Sequence, residues 1–213
     1  MQRILTEEDL ATAVDELIRI EPRFRLVVES HGLPPLRLVP QGLQSLLRIV
    51  TDQLISLQAG AAIWKRVAER LSPFDPDFVL SQSEGDLRNL GLSGAKARTF
   101  QAAADAARRG AFDQVLVDNL DDRELIKMLT SIHGVGPWTA EIYVLSAVGS
   151  SDCWPTGDLA LQAAAQDLLT LGERPAQKIM VTIAEPWRPL RSVAARLLWS
   201  HYRGLKGMGQ AII

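Results

Sequence analysis

The chain has 213 residues, a formal net charge of -2, 47% hydrophobic content and a single cysteine. That length can bury a sizeable core without staples, and one thiol, Cys153, excludes a disulfide framework, a four-cysteine zinc site and a cysteine-ligated iron–sulfur cluster. With 23% charged residues the composition is neither disordered nor collagenous, no apolar run approaches a membrane span, and the acidic N-terminus has no apolar signal core that would mark it for export.

Helical periodicity runs through almost the whole chain. Thr6-Glu-Glu-Asp9 has the form of a capping box, with Leu10, Val14, Leu17 and Ile18 as the buried stripe behind it. A second helix starts near Pro22, and His31-Gly-Leu-Pro-Pro35 breaks it. Further helices are predicted over 41–56, 58–71, 84–90, 94–109, 121–130, 137–148, 158–171, 175–183 and 189–206. In the first of these Leu43, Leu46, Leu47, Val50, Leu54 and Leu57 share one face. The β-branched runs at Leu26–Val28 and Val115–Val117 sit in helix-compatible surroundings, and hairpin-separated alternating strands are missing. The expected fold class is all-α, held by helix-on-helix packing, with residues 1–213 as one domain of two helical lobes. Charge is unevenly spread: residues 174–213 hold seven basic side chains and one acidic one, so the tail reads either as a polyanion-facing surface or as a solvated helix face.

The most informative stretch is Leu129-Thr-Ser-Ile-His-Gly134-Val135-Gly136-Pro137-Trp138-Thr139-Ala140. An apolar helix end runs into Gly-Val-Gly, and Pro137 opens the next helix at once. Glycines allow positive φ and strip side chains from the outer surface of the turn, so the amides that start the following helix point outward. Such a turn is either a plain helical hairpin or a phosphate grip, in which Gly134, Val135, Gly136 and Thr139 would meet the nucleic-acid backbone. A backbone grip of this kind needs few lysines.

This stretch, over 129–140, resembles the helix–hairpin–helix of the helix–hairpin–helix DNA glycosylase superfamily. The resemblance spans about residues 40–206 and implies an aspartate after a following loop. Asp158 stands 22 residues beyond Gly136, after Pro155-Thr-Gly157. An aspartate at a helix start is commonly an N-cap, and the two roles are compatible: amide donors keep the carboxylate ionised, and a fixed anion stabilises oxocarbenium character on a deoxyribose. In relatives that also nick the strand a lysine occupies the position held here by Trp138, and an indole cannot serve as the amine nucleophile. The resemblance therefore implies a monofunctional enzyme without cofactor, hydrolysing N-glycosyl bonds of damaged bases in double-stranded DNA.

Trp187-Arg-Pro-Leu-Arg191-Ser192-Val-Ala194, followed by Trp199, resembles a segment of the alkylation-repair branch, the 3-methyladenine glycosylase II type. That likeness implies alkylated purines as substrate, Trp138, Trp199 and Trp187 as a base pocket with core packing as the alternative for each, and DNA contacts at Arg191 and Ser192. Thr51-Asp52-Gln53-Leu54-Ile55-Ser56 is similar to the segment that enters the base stack, which makes Leu54 either the wedge or the last member of its helical stripe, and Gln53 a contact to the opposite strand or the pocket. The family segment around Leu90-Gly-Leu92 implies phosphate contacts for Lys96 and Arg98, with a solvated face as the alternative. Two positions depart from the pattern: Asp52 stands where glycine is frequent, and Ile142 where an aromatic often completes the pocket. Backbone carbonyls near Ile132 could hold a monovalent cation. Residues 1–40 are expected to pack with the C-terminal helices, and the protein to act as a monomer in the nucleoid of a prokaryote or the nucleus of a eukaryote, with no membrane partner. A glycosylase for a deaminated or oxidised base, or a non-catalytic DNA-binding module, are the alternative readings.

Overall fold

A computed structural model describes residues 2–207. The helices in chain order are α1 (Glu7–Ile20), α2 (Phe24–His31), α3 (Leu43–Asp52), α4 (Leu57–Leu71), α5 (Pro76–Ser81), α6 (Glu84–Asn89), α7 (Gly94–Arg108), α8 (Gln114–Asn119), α9 (Asp122–Thr130), α10 (Pro137–Tyr143), α11 (Leu159–Leu168), α12 (Gln177–Ala184) and α13 (Arg191–Leu205). Among the described residues there is no β-strand, only an isolated bridge between Arg3 and Ser150, so the fold is all-α. None of the helices is long and apolar enough to cross a membrane.

The chain forms two compact units, one from residues 1–38 and 149–213, the other from 39–148. In the first, the Thr6 hydroxyl accepts the Asp9 amide and the Asp9 carboxylate accepts the Thr6 amide, closing the capping box of α1. Leu10, Val14, Leu17 and Ile18 are buried behind it. α13 is the axis of this unit, packing on α1, α2 and α11. Its buried run Val193–Leu198 is apolar apart from Arg196. At its far end Gly204 lacks a Cβ that would collide with the His31 ring, so α2 lies close across it.

In the second unit α3, α4, α7, α9 and α10 surround a core that includes Leu46, Leu47, Val50, Val67, Phe100, Leu125 and Leu129. Tyr143 is buried with them; its Oη accepts the Gly42 amide at 2.7 Å, and burial pushes the phenol up to about 12, with that hydrogen bond opposing.

Several predicted boundaries move. The helix expected over 41–56 stops at Asp52, because Gln53 is extended and Leu54 takes a positive φ of 56°. The one expected over 137–148 is α-helical only to Tyr143 and then widens into a π-helix, Val144–Val148, where the Ser146 hydroxyl donates to the Ile142 carbonyl. The short helices α5 and α8 were not predicted: six residues hold too few turns to print a period, and α8 contains the β-branched run Val115–Val117. Both start from aspartate caps, Asp75 and Asp113.

Candidate active site

The turn between α9 and α10 closes with the Val135 amide donating to the Ile132 carbonyl at 3.0 Å, so that carbonyl already serves the turn. Ile132 and Val135 are buried and plug the hairpin from inside, while Gly134 and Gly136 are exposed. The two glycines do different work. Gly134 has φ +81°, and a Cβ there would collide with Thr99 Oγ1 of α7. Gly136 is extended (φ -85°), caps α10 without a side chain, and would meet nothing within 4 Å if it carried one. Its bareness leaves the first amides of α10 open on the outside. Trp138 is half-buried in the first turn of that helix, and Thr139 is buried.

Thr139 Oγ1 instead serves the protein, accepting Gln53 Nε2 at 2.5 Å. This bond fixes Gln53 at the end of α3, and the next residue, Leu54, is fully exposed. The stripe on α3 thus ends at Val50: Leu43, Leu46, Leu47 and Val50 are buried, whereas Leu54 and Leu57 are not. An exposed leucine in the left-handed region has no core reason for its place. Lys96 is not turned to solvent. Its Nζ donates to the Thr51 and Gln53 carbonyls, each at 2.8 Å, and burial lowers its pKa while Asp52 opposes. Lys96 therefore clamps the last turn of α3, in place of the phosphate contact expected of it. Arg98 pairs with Glu84 at 3.2 Å.

In the other unit, Asp158 is the N-cap of α11, its Oδ1 accepting the amides of Ala160 at 2.9 Å and Leu161 at 3.0 Å. The loop before it is tied down at each step. Trp154 Nε1 donates to the Met180 carbonyl, Gln177 Nε2 to Thr156 Oγ1, Gln162 Nε2 to the Thr156 carbonyl, and the Asp158 amide to the Pro155 carbonyl. The segment 187–192 belongs to the same scaffold. Arg191 forms a bidentate pair with Asp152 (2.8 and 3.0 Å), Arg188 reaches the same carboxylate at 2.6 Å, and the Ser192 hydroxyl donates to the Cys153 carbonyl. Ser192 is buried and Arg191 nearly so, so the DNA contacts expected of them give way to anchoring the loop that carries Asp158. Trp187 is likewise corrected from pocket to core: it is 1% exposed and packs edge-on against Phe24 and Trp154. Trp199, on α13, stays half-buried.

These anchors also redraw the basic tail. Of its seven cations, Arg191 is paired with Asp152 and largely covered and Arg196 is buried, while Arg188 pairs with Asp152 and Glu185 and stays exposed. Sequence reading missed Asp152 and Thr99, since each acts on a residue 35 or more positions away and leaves no local signature.

No family model matches the chain. Among curated proteins it is 25% identical over 202 residues to the alkylbase DNA glycosidase-like protein mag2 of Schizosaccharomyces pombe, covering 91% of this chain and 94% of that one. Among solved structures, a DNA-3-methyladenine glycosidase from Bacillus halodurans superposes with a TM-score of 0.78 at 26% identity, covering 97% and 95% of the two chains. The chain is thus similar, in sequence and in fold, to alkylation-repair glycosylases of the helix–hairpin–helix type. The Schizosaccharomyces pombe 3-methyladenine DNA glycosylase Mag1, in complex with abasic DNA, shares the glycosylase fold at a TM-score of 0.81 and 23% identity, covering 92% and 97%. Against longer relatives the chain is a part: it spans 63% of Bacillus subtilis YfjP and 41% of Mycobacterium tuberculosis AlkA. The departure at Asp52 is accommodated locally. Asp52 Oδ2 pairs with Arg48 at 2.7 Å, and its buried Oδ1 lies where only a glycine, Gly60, leaves room. Ile142, the other departure, is half-buried one turn beyond Trp138.

Proposed function

We propose that the chain is a monofunctional DNA glycosylase that releases alkylated purines from double-stranded DNA and leaves an abasic site. The observation that carries this reading is Asp158, a carboxylate held at a helix N-terminus by two amides on a loop that six side chains anchor. As the N-glycosidic bond breaks, its electron pair leaves with the purine and positive charge grows at C1′ and the ring oxygen. A preorganised anion lowers that barrier selectively. Water then bonds to C1′ and gives up a proton. An N3- or N7-alkylated purine is cationic and departs neutral, so it needs little further help from an acid.

Trp138, at the position where strand-nicking relatives carry lysine, supports hydrolysis without a Schiff base. Trp138 and Trp199 are each half-buried, and an indole face that meets a cationic purine gains up to about 2 kcal/mol. The exposed Leu54, held by its neighbours Gln53 and Lys96, is suited to fill the gap left by a flipped nucleotide, with Gln53 beside it. The bare glycine turn at Gly134–Gly136, at the start of α10, would hold a backbone phosphate. The protein would act as a monomer, without cofactor, wherever the genome lies. Free-base release from methylated duplex DNA tests the proposal. Loss of release in Asp158→Asn supports it, whereas unchanged release, or binding without release on every lesion, overturns it.

A further inference from the structure

Leu54 stands exposed in the left-handed region, a backbone state that persists only where its neighbours hold it. On the α3 side it is held by Lys96 and Thr139, through the Gln53 carbonyl and the Gln53 side chain. On the far side the chain runs through Ile55 and Ser56 into α4, where Ser56 Oγ accepts the Ala59 amide at 3.2 Å. The two sides meet at Gly60, near the start of α4. A Cβ on Gly60 would stand 2.3 Å from Asp52 Oδ1, 3.3 Å from Asp52 Cγ and 3.7 Å from Ile55 Cδ1. Asp52 and Ile55, which bracket Gln53 and Leu54, therefore both occupy the space that a side chain on Gly60 would need.

Asp52 cannot swing freely off this seat. Its Oδ2 accepts Arg48 Nε at 2.7 Å from one turn back on α3, and the Arg48 guanidinium lies 5.4 Å over the Trp64 ring of α4, which stacks on Phe74. Aspartate has only two side-chain torsions, so turning Oδ1 away from Gly60 would pull Oδ2 off Arg48. The carboxylate thus ties the last turn of α3 to the first turn of α4 across residues 53–56, the segment that carries Leu54. Neither alanine nor glycine at position 52 could make this link. We infer, on the reading of Leu54 as the residue that fills the gap left by a flipped nucleotide, that Asp52 is its positioning residue. Seated on Gly60 and held by Arg48, it closes the Gln53–Ser56 loop into a fixed arch. Gly60 shares the task, since a Cβ there expels the carboxylate or shifts the loop, although helix interiors ordinarily favour alanine over glycine.

The test uses the full chain, at saturating concentration and below its melting range, on duplex DNA with 2-aminopurine beside a tetrahydrofuran abasic site. Fluorescence then reports unstacking and needs no base release. Wild type should raise the signal, and Leu54→Ala should lose most of the rise. Asp52→Ala should cut the rise about fivefold, and Asp52→Asn, which keeps the shape and the acceptor for Arg48, should restore it. Gly60→Ala should cut it by a similar factor alone and cost nothing further beside Asp52→Ala, because the atom it strikes is gone. Without DNA, Gly60→Ala should raise the melting temperature only beside Asp52→Ala. If Gly60→Ala does not fold, the contrast between Asp52→Ala and Asp52→Asn decides. An Asp52 with a structural role only would lower the melting temperature of Asp52→Ala and leave the fluorescence plateau unmoved. That result, or additive effects of Asp52→Ala and Gly60→Ala, overturns the inference while the reading of Leu54 stands. A full rise in Leu54→Ala overturns the reading of Leu54, and the inference with it.

Discussion

At the scale of single residues, Asp158 can be separated from its structural duty. Asparagine caps a helix about as well as aspartate, and Oδ1 would still accept the Ala160 and Leu161 amides. Asp158→Asn should therefore leave the urea midpoint nearly unchanged yet cut base release by roughly 10²–10³-fold, the cost of removing one preorganised electrostatic group. Equal losses of stability and activity would mean that the carboxylate is merely a cap. The two hairpin glycines separate in the opposite way. Gly134→Ala must tolerate φ +81° and a collision with Thr99, and should lose roughly 2–4 kcal/mol in denaturant titration. Gly136→Ala meets no atom, so stability should hold while a methyl over the open amides weakens duplex binding; binding measured by fluorescence anisotropy checks this. Tyr143 gives an alkaline marker. Its phenol ionises near 12 in the fold and near 10 in the unfolded chain, so its contribution is complete below pH 10 and declines as pH rises toward 12. The loss should approach roughly 2–3 kcal/mol, and Tyr143→Phe should flatten that limb of a stability–pH curve.

At the scale of elements, the end of α3 is a device made by three helices. Lys96 from α7 holds its last carbonyls, Thr139 from α10 holds Gln53, and Leu54 is left standing in solvent. Lys96→Met should slow base release from duplex DNA by about tenfold while sparing release from a lesion in single-stranded DNA, which needs no flipping. Equal slowing on both substrates would place Lys96 in general stability instead. The same element shows what was legible in the sequence and why. Apolar spacing identified α3 and the hairpin pattern identified α9–α10, because helical period and turn glycines are local signals. The stop at Asp52 was not legible, since it depends on a lysine 45 positions beyond Thr51. Trp187 and Trp199 sit on one motif yet differ in burial, and only the packing of Phe24 and Trp154 around Trp187 decides which is core. The pairing of Arg188 and Arg191 with Asp152 is equally non-local, so a cluster that looked like a DNA-facing stripe serves as a loop anchor.

For the whole molecule, net charge is -2, and the basic tail offers a polyanion fewer cations than its seven, since Arg191 and Arg196 are used internally. If the hairpin amides supply the grip, few counterions are released on binding. The slope of log K against log salt should then be shallow, roughly -2 to -4; a slope near -8 would point to an extensive lysine and arginine footprint.

The division of the chain has a consequence for how it folds. One unit is a continuous run of about 110 residues, and the other is made from the segments on either side of it. The inserted unit is closed at its own base, where the Val39 amide donates to the Ser146 carbonyl at 3.0 Å. Until that bond forms, joining α2 to α13 means closing a loop more than a hundred residues long. Once it forms, the loop of about 160 residues shortens to about 50, an entropic difference of roughly 1 kcal/mol. The unit bearing the hairpin thus shortens the connection that the unit bearing Asp158 has to close.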